Sequence, residues 1–167
     1  LRMDGNDEDP KVINVFGGKI TTYRRLAESM LEKVESILGA KGAAWTRTSV
    51  LPGGEFDVSG FADLLAKVRS DFPFLETGQS ERLVRSYGLK AFEILQAAKT
   101  PEELGEDFGL GLSEAEVRYL INNEWAQTAD DVVWRRSKLG IRFTEQQKTR
   151  LDTFMNQNKK LQVFAAE

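Results

Sequence analysis

The chain contains no cysteine and no histidine. Without cysteine there are neither disulfides nor thiolate chemistry, a composition that fits a cytoplasmic origin. Without histidine, the commonest base and metal ligand near neutral pH is missing. Chemistry carried by this chain alone would rest on carboxylates, lysine or tyrosine. No apolar run approaches the roughly 20 residues of a membrane-spanning helix, and no signal peptide is visible. An excess of one charge is also missing. Lys and Arg number 23 against 26 Asp and Glu, a net charge of −3, so no global field draws the chain to nucleic acid or to an anionic membrane.

What remains is an ordinary globular composition, 41% hydrophobic and 29% charged over 167 residues. That length suffices for one domain with a core, or for one domain plus a remnant of another. The opening Leu1-Arg2-Met3 reads as the start of a piece excised from something longer.

Residues 1–10 are polar and turn-rich, with Asp4-Gly5-Asn6-Asp7 and Asp9-Pro10, and read as a loop. Lys11 to Phe16 is β-branched and apolar and reads as a short buried strand ended by Gly17-Gly18. Tyr23, Leu26, Met30, Leu31, Val34, Ile37 and Leu38 recur at helical spacing up to Gly39, which predicts a long helix. Residues 40–60 are irregular around the turn Leu51-Pro52-Gly53-Gly54.

From Phe61 the chain reads as all helix. One stripe runs from Phe61 to Phe72 and another from Leu83 to Leu95. Ser113 stands in capping-box spacing with Glu116. Thr128 heads a helix over 128–139 that carries Arg135, Arg136 and Lys138 near its end and stops at Gly140. Thr144 can cap a last helix bearing Leu151, Phe154 and Met155. The predicted fold is mainly α: a helical bundle preceded by a strand-turn-helix remnant of an α/β domain. The domains expected are 1–40 (strand, Gly-Gly turn, long helix), a linker over 41–56, a helical domain over 57–158 and a tail over 159–167.

The stretch richest in chemistry is Gly17-Gly18-Lys19-Ile20-Thr21-Thr22-Tyr23-Arg24. Paired glycines let a backbone approach a planar or anionic ligand closely. The helix start that follows offers unpaired N–H groups and a positive dipole end. Lys19 adds a cation there, and Thr21 and Thr22 add hydroxyls. A strand–Gly-Gly–helix turn also serves as a plain tight corner, and the residues alone leave both readings open.

This segment, directly after a hydrophobic strand, resembles a signature near the end of the FAD domain in flavin-dependent glycerol-3-phosphate dehydrogenases. Leu51-Pro52-Gly53-Gly54, the run Arg82 to Gly88, Glu114 to Leu120 and Thr128 to Gly140 are similar to successive parts of the same family's C-terminal region. The resemblance covers nearly the whole chain. It implies oxidation of sn-glycerol 3-phosphate to dihydroxyacetone phosphate, with FAD as cofactor and quinone as acceptor; an oxidase that passes electrons to oxygen is the family's variant. It further implies that Gly18, Lys19, Ile20 and Thr21 contact the cofactor and that Lys19 takes part in catalysis. The 1–40 segment becomes the end of an FAD-binding domain, and the helical domain its buttress. The family's dinucleotide-binding glycines, catalytic histidine and most substrate-binding arginines belong upstream of this sequence. A cytoplasmic protein is implied, with peripheral association at the inner membrane face and a homodimer among its partners.

Other groupings invite other chemistry. Helices over 113–124 and 128–139 could form a helix-turn-helix, or the helical part a protein-interaction module. The acids Asp130 and Asp131 at the start of the would-be recognition helix disfavour nucleic acid. Trp45, Trp125 and Trp134, with Phe108, Tyr119 and Phe143, suit core or interface packing better than a ligand pocket. Glu114, Glu116 and Glu124 read as a solvated face, and no metal site is expected. Because the dinucleotide fold and histidine are lacking, the chain by itself should hold no FAD and oxidise no glycerol 3-phosphate. A flavin absorbance band in the purified chain, or turnover with an artificial electron acceptor, would contradict this.

Overall fold

A computed structural model describes residues 1–6 and 10–164. The chain divides into two compact units, Leu1–Val50 and the remainder from Leu51.

The first unit opens with strand β1 (Arg2–Asp4) paired antiparallel to strand β2 (Val12–Asn14), with Met3 opposite Ile13. The segment expected to be all loop thus supplies a strand. Gly5 at φ +119 lets the chain reverse where a Cβ would meet the Pro10 carbonyl at 2.8 Å. The predicted strand over 11–16 shortens to three paired residues, and Val15 and Phe16 lie exposed beyond it. A lone pair of short strands buries little and is marginal in water. Helix α1 (Tyr23–Leu38) follows and ends at Gly39, as its spacing predicts. Its apolar stripe is not covered: Tyr23, Leu31 and Leu38 are all more than half exposed, and no residue of α1 is fully buried.

The second unit holds the core, so the mainly helical prediction stands. Helix α2 (Phe61–Asp71) buries Leu64 and Val68, and helix α3 (Thr77–Tyr87) buries Leu83, Val84 and Tyr87. The stripe Leu83 to Leu95 does not run through one helix. It breaks at Gly88–Lys90, a tight 3-10 turn, and resumes in helix α4 (Ala91–Leu95).

The break has a steric cause. The turn at Leu51-Pro52-Gly53-Gly54, closed by Gly54 N–H to the Leu51 carbonyl at 2.8 Å, lays Gly53 against the end of α3. Leu89 N–H donates to the Gly53 carbonyl at 2.9 Å. Gly53 (φ +85) and Gly88 (φ +55) pass so closely that a Cβ on either would collide with the other strand of backbone. Only glycine fits both the space and the left-handed φ.

Helix α5 (Glu114–Asn123) starts at Ser113, whose Oγ accepts from Glu116 N–H at 3.3 Å. The helix expected over 128–139 is present in shortened form over 129–136, capped as predicted by Thr128, whose Oγ1 accepts from Asp131 N–H at 3.2 Å. Asp131 accepts from the Gln127 and Thr128 N–H groups at 2.9 Å, and a single π-helical turn spans Asp131–Arg136. Ser137 N–H then reaches back five residues to the Val132 carbonyl, and Lys138 turns left-handed at φ 61. Helix α6 (Glu145–Phe164) begins with a reciprocal cap. Thr144 N–H donates to Gln147 Oε1 at 2.9 Å, and Gln147 N–H donates to Thr144 Oγ1 at 3.3 Å. The helix continues through Phe164, into the segment read as a tail; residues 165–167 lie outside the described ones.

Val68, Phe108, Leu112, Leu120, Val132 and Leu151 are wholly buried in this second unit. A chain starting at Leu51 should therefore melt in one cooperative transition at nearly the midpoint of the whole chain. A broad melt with strong dye binding would reveal a molten state and contradict it.

Candidate functional site

The Gly17–Thr22 segment joins β2 to α1. Gly17 (φ +75) and Gly18 (φ +150) lie in backbone regions that L side chains avoid. A Cβ on Gly17 would meet nothing within 4 Å, whereas one on Gly18 would press on Leu26 Cδ2 at 3.2 Å. The turn is thus tight on its inner side and open on its outer side. Lys19 is extended, and Ile20–Thr22 form one 3-10 turn closed by Thr22 N–H to the Lys19 carbonyl at 3.0 Å. Thr22 Oγ1 donates to the same carbonyl at 3.2 Å.

No side chain caps this turn or α1, and no acid stands in the first turn of either. The leading N–H groups and the positive end of this 16-residue helix thus receive no side-chain cap and no acid from the helix's own first turn. Gly18, Lys19, Ile20 and Thr21 are all exposed, Ile20 at 84%. The four sequence-predicted residues are consecutive on one open turn. Its backbone suits a planar or anionic group, and Lys19 provides a mobile cation there.

The remaining sequence candidates separate. Trp45, Trp125 and Trp134 are exposed, while Phe108 is buried, so the aromatic set makes no common pocket. The cations of 135–138 bind carbonyls and acids. Arg136 Nη2 donates to the Glu124 carbonyl at 2.6 Å, Arg135 pairs with Asp131 at 3.0 Å, and Lys138 donates to the Trp134 carbonyl. The short helix over 129–136 has Asp130 and Asp131 at its start and commits Arg135 and Arg136 to partners within the chain, which disfavours its entry into a groove. Among the described residues no cluster of three or more acidic residues could hold a metal. No described helix is long and apolar enough to cross a membrane.

One acid departs from its expected solvated place. Glu116 is completely buried. Arg82 grips it with two hydrogen bonds, Nη1 to Oε1 at 2.6 Å and Nη2 to Oε2 at 2.7 Å, and the Tyr87 hydroxyl donates to Oε1 at 2.8 Å. The capping-box spacing predicted Glu116 at the third helical position but not its rotation into the core. A compensating arginine 34 residues away carries no local signature.

Burial of Arg82 would lower its pKa, but the hydrogen bond and charge of Glu116 more than reverse this and leave it raised. Tyr87 is driven far up, first by burial and then by the Glu116 charge and hydrogen bond. Every partner's charge is used within the cluster, so it serves folding rather than catalysis. Replacing Glu116 with Ala strands the guanidinium and should cost about 3–5 kcal/mol in urea unfolding.

The tyrosine gives a signed pH effect. Its ordinary pKa is 10.0 and its folded pKa lies higher. Above pH 10 the unfolded chain therefore releases a proton that the folded chain keeps. Stability is full below that pH and falls above it, by up to about 1.4 kcal/mol per pH unit. Tyr87→Phe should be less stable at pH 8 and show a shallower alkaline loss. Parallel slopes for the two proteins between pH 10 and 11 would refute the assignment.

Comparison with known proteins places this geometry in context. Residues 44–160 match the family model described as the C-terminal domain of alpha-glycerophosphate oxidase. An aerobic glycerol-3-phosphate dehydrogenase of Escherichia coli is 41% identical over 155 residues, covering 92% of this chain and 31% of that protein. A glycerol-3-phosphate dehydrogenase of Pseudomonas aeruginosa is 37% identical, covering 93% of this chain and 30% of its own length. A D-erythritol 1-phosphate dehydrogenase of Brucella abortus is 38% identical over 134 residues, covering 80% and 27%. The chain spans about a third of the length of the curated relatives it matches.

Proposed function

This chain belongs to the family of the C-terminal domain of alpha-glycerophosphate oxidase, and from that premise we propose that it is the C-terminal part of a flavoprotein that oxidises sn-glycerol 3-phosphate to dihydroxyacetone phosphate. One observation carries the reading: an open Gly-Gly-Lys turn at an uncapped helix start lies just ahead of the family's domain. FAD fits that turn from one side. The outer side of Gly17 is clear, the N–H groups lack a side-chain cap, and the first turn of the helix carries no acid to repel an electron-rich ring edge. When bound, FAD supplies the acceptor for the substrate's hydride and passes the electrons on to quinone.

This chain's own contribution is positional and electrostatic. Gly17 and Gly18 allow close backbone approach. Gly18, Ile20 and Thr21 present main-chain and hydroxyl groups to the cofactor. Lys19 holds a positive charge where negative charge arrives, which favours the reduced state over the oxidised one. The exposed stripe of α1 suits burial against the remainder of the flavin domain, where each large aliphatic side chain covered contributes about 1.5–3 kcal/mol.

The helical unit from Leu51 buttresses that domain and is not the seat of the reaction. Relatives acting on two different polyol phosphates, by their names, match this region at similar identity. The protein is cytoplasmic, associates peripherally with the inner membrane face and pairs as a homodimer in this reading.

Lys19→Ala in the full-length enzyme should slow reduction of the bound flavin by glycerol 3-phosphate about a hundred- to a thousandfold, as loss of one water-excluded donor does, with little change in melting temperature. Stopped-flow absorbance of the flavin measures it. An unchanged rate in a folded, flavin-loaded variant would return Lys19 to the role of a solvated lysine at a tight corner.

A further inference from the structure

The first turn of α1 carries two adjacent arginines and no acid, a placement that the helix dipole disfavours. The acid that answers them sits one turn on. Arg24 Nη1 donates to Glu28 Oε1 at 2.5 Å, and the Arg25 guanidinium lies 3.9 Å from Glu28 Oε2. The same Glu28 Oε1 accepts from the Thr46 hydroxyl at 2.5 Å, and Arg24 Nη1 reaches Thr46 Oγ1 at 3.5 Å.

The group is compact and partly sheltered. The Glu28 side chain is 21% exposed and that of Arg24 31%, against 78% for Arg25. Thr46 is held in turn by its own segment, because the Trp45 carbonyl accepts from Thr48 N–H at 3.3 Å and from the Ser49 hydroxyl at 3.2 Å. The Thr46 hydrogen bond, aided by the Arg24 and Arg25 charges, holds the Glu28 carboxyl below its ordinary pKa, so it stays an anion at neutral pH.

The geometry follows from helix spacing. A partner four residues on lies on the same face, one turn toward the C-terminus. An arginine in the first turn that pairs this way is drawn along the helix, away from the N–H groups at its start. An Arg24 guanidinium released there would add charge at the end of the helix that Lys19 precedes. It would also compete with the backbone for any anionic group that the turn holds.

We propose that Glu28, fixed by Thr46, is a positioning residue that withholds the Arg24 guanidinium from the Gly17–Thr21 turn, where Lys19 and the helix N–H groups meet the anionic ligand. This rests on the cofactor reading of that turn. Glu28 acts through Arg24 and touches no ligand itself. Thr46 lies inside the family's matched region and Glu28 outside it, so the clasp ties the start of that region to the helix that follows the Gly-Gly-Lys turn.

The test uses the full-length flavoprotein with Glu28→Gln, Thr46→Val and the double variant Arg24→Met/Glu28→Gln. Freed Arg24 should raise the flavin midpoint potential in Glu28→Gln, and to a smaller degree in Thr46→Val. The double variant should return it to the wild-type value. A lowered melting temperature with an unmoved potential in Glu28→Gln would show a merely structural clasp and overturn the proposal, as would a raised potential that persists in the double variant.

If the wild-type full-length protein holds no flavin, the cofactor reading fails by itself. The clasp is then judged on the 167-residue chain by titrating inorganic phosphate and following the amide shifts of Gly18 to Thr22. At least threefold tighter phosphate binding in Glu28→Gln, reversed in the double variant, supports the withholding of Arg24. Equal binding in all three proteins overturns it.

Discussion

A carboxylate with no access to water organises the helical unit. Glu116 has lost all hydration and regains it from three donors, two on Arg82 and one on Tyr87. A charge buried without such partners would cost many kcal/mol or be neutralised by protonation. The two donor residues both belong to α3 and the acceptor to α5, so the cluster permits only one register between these helices. Arg82 spends a further N–H on the Gly111 carbonyl at 2.9 Å, which fixes the Asp107–Ser113 loop that delivers the chain into α5. The Arg82 Nε is buried without a partner, a residual cost that the bidentate pair offsets. Replacing such a cluster by apolar groups of equal volume often costs nothing in stability. What the cluster supplies is discrimination: an α3–α5 pairing shifted by one turn would leave a bare charge in the core.

The glycine crossing beside it works by exclusion rather than attraction. Tyr87 closes α3 and binds Glu116, and the next residue, Gly88, meets Gly53 backbone to backbone. The path of the chain into the helical unit is therefore set at the same place as the core's register. This explains why a continuous apolar stripe from Leu83 to Leu95 is split. Periodicity reports which face is buried, and α3 and α4 do bury that face. It cannot report that another segment of backbone needs the space where the helix would have continued.

The same distinction runs through the rest of the chain. Features with local causes were legible: the helix over 23–38 ended by Gly39, the Ser113 cap, the Thr144 cap and the apolar stripe of α2. Features with distant causes were not. The pairing of Arg2–Asp4 with Val12–Asn14 depends on a partner outside the strand's own pattern. The helix read over 128–139 starts at its predicted Thr128 cap but winds as a π-helix over Asp131–Arg136 and ends early, because Ser137 N–H reaches back to the Val132 carbonyl and Arg136 is drawn to the end of α5. At the candidate site, Gly17 to Thr21 could be read directly, since paired glycines before a helix have a local meaning. The Glu28–Thr46 bond could not, as neither residue type nor spacing marks a contact across 18 residues.

The contrast between the units bears on where chemistry can reside. The helical unit pairs its buried Glu116 internally and buries the apolar faces of α2, α3 and α5. The first unit is the reverse: a helix start without a cap, two glycines open on one side, and apolar side chains from Phe16 to Leu38 left in contact with solvent. Leaving such surface wet forfeits about 25 cal/mol per Å², and leaving helix N–H groups uncapped forfeits about 1 kcal/mol. A sequence that keeps both over one 40-residue stretch leaves stabilising contacts unmade within this unit. The incompleteness of the first unit and the self-sufficiency of the second are thus complementary signs of a single division of labour. Under the proposed function, ligand contact would fall to the part that is physically unfinished, and structural support to the part that is closed.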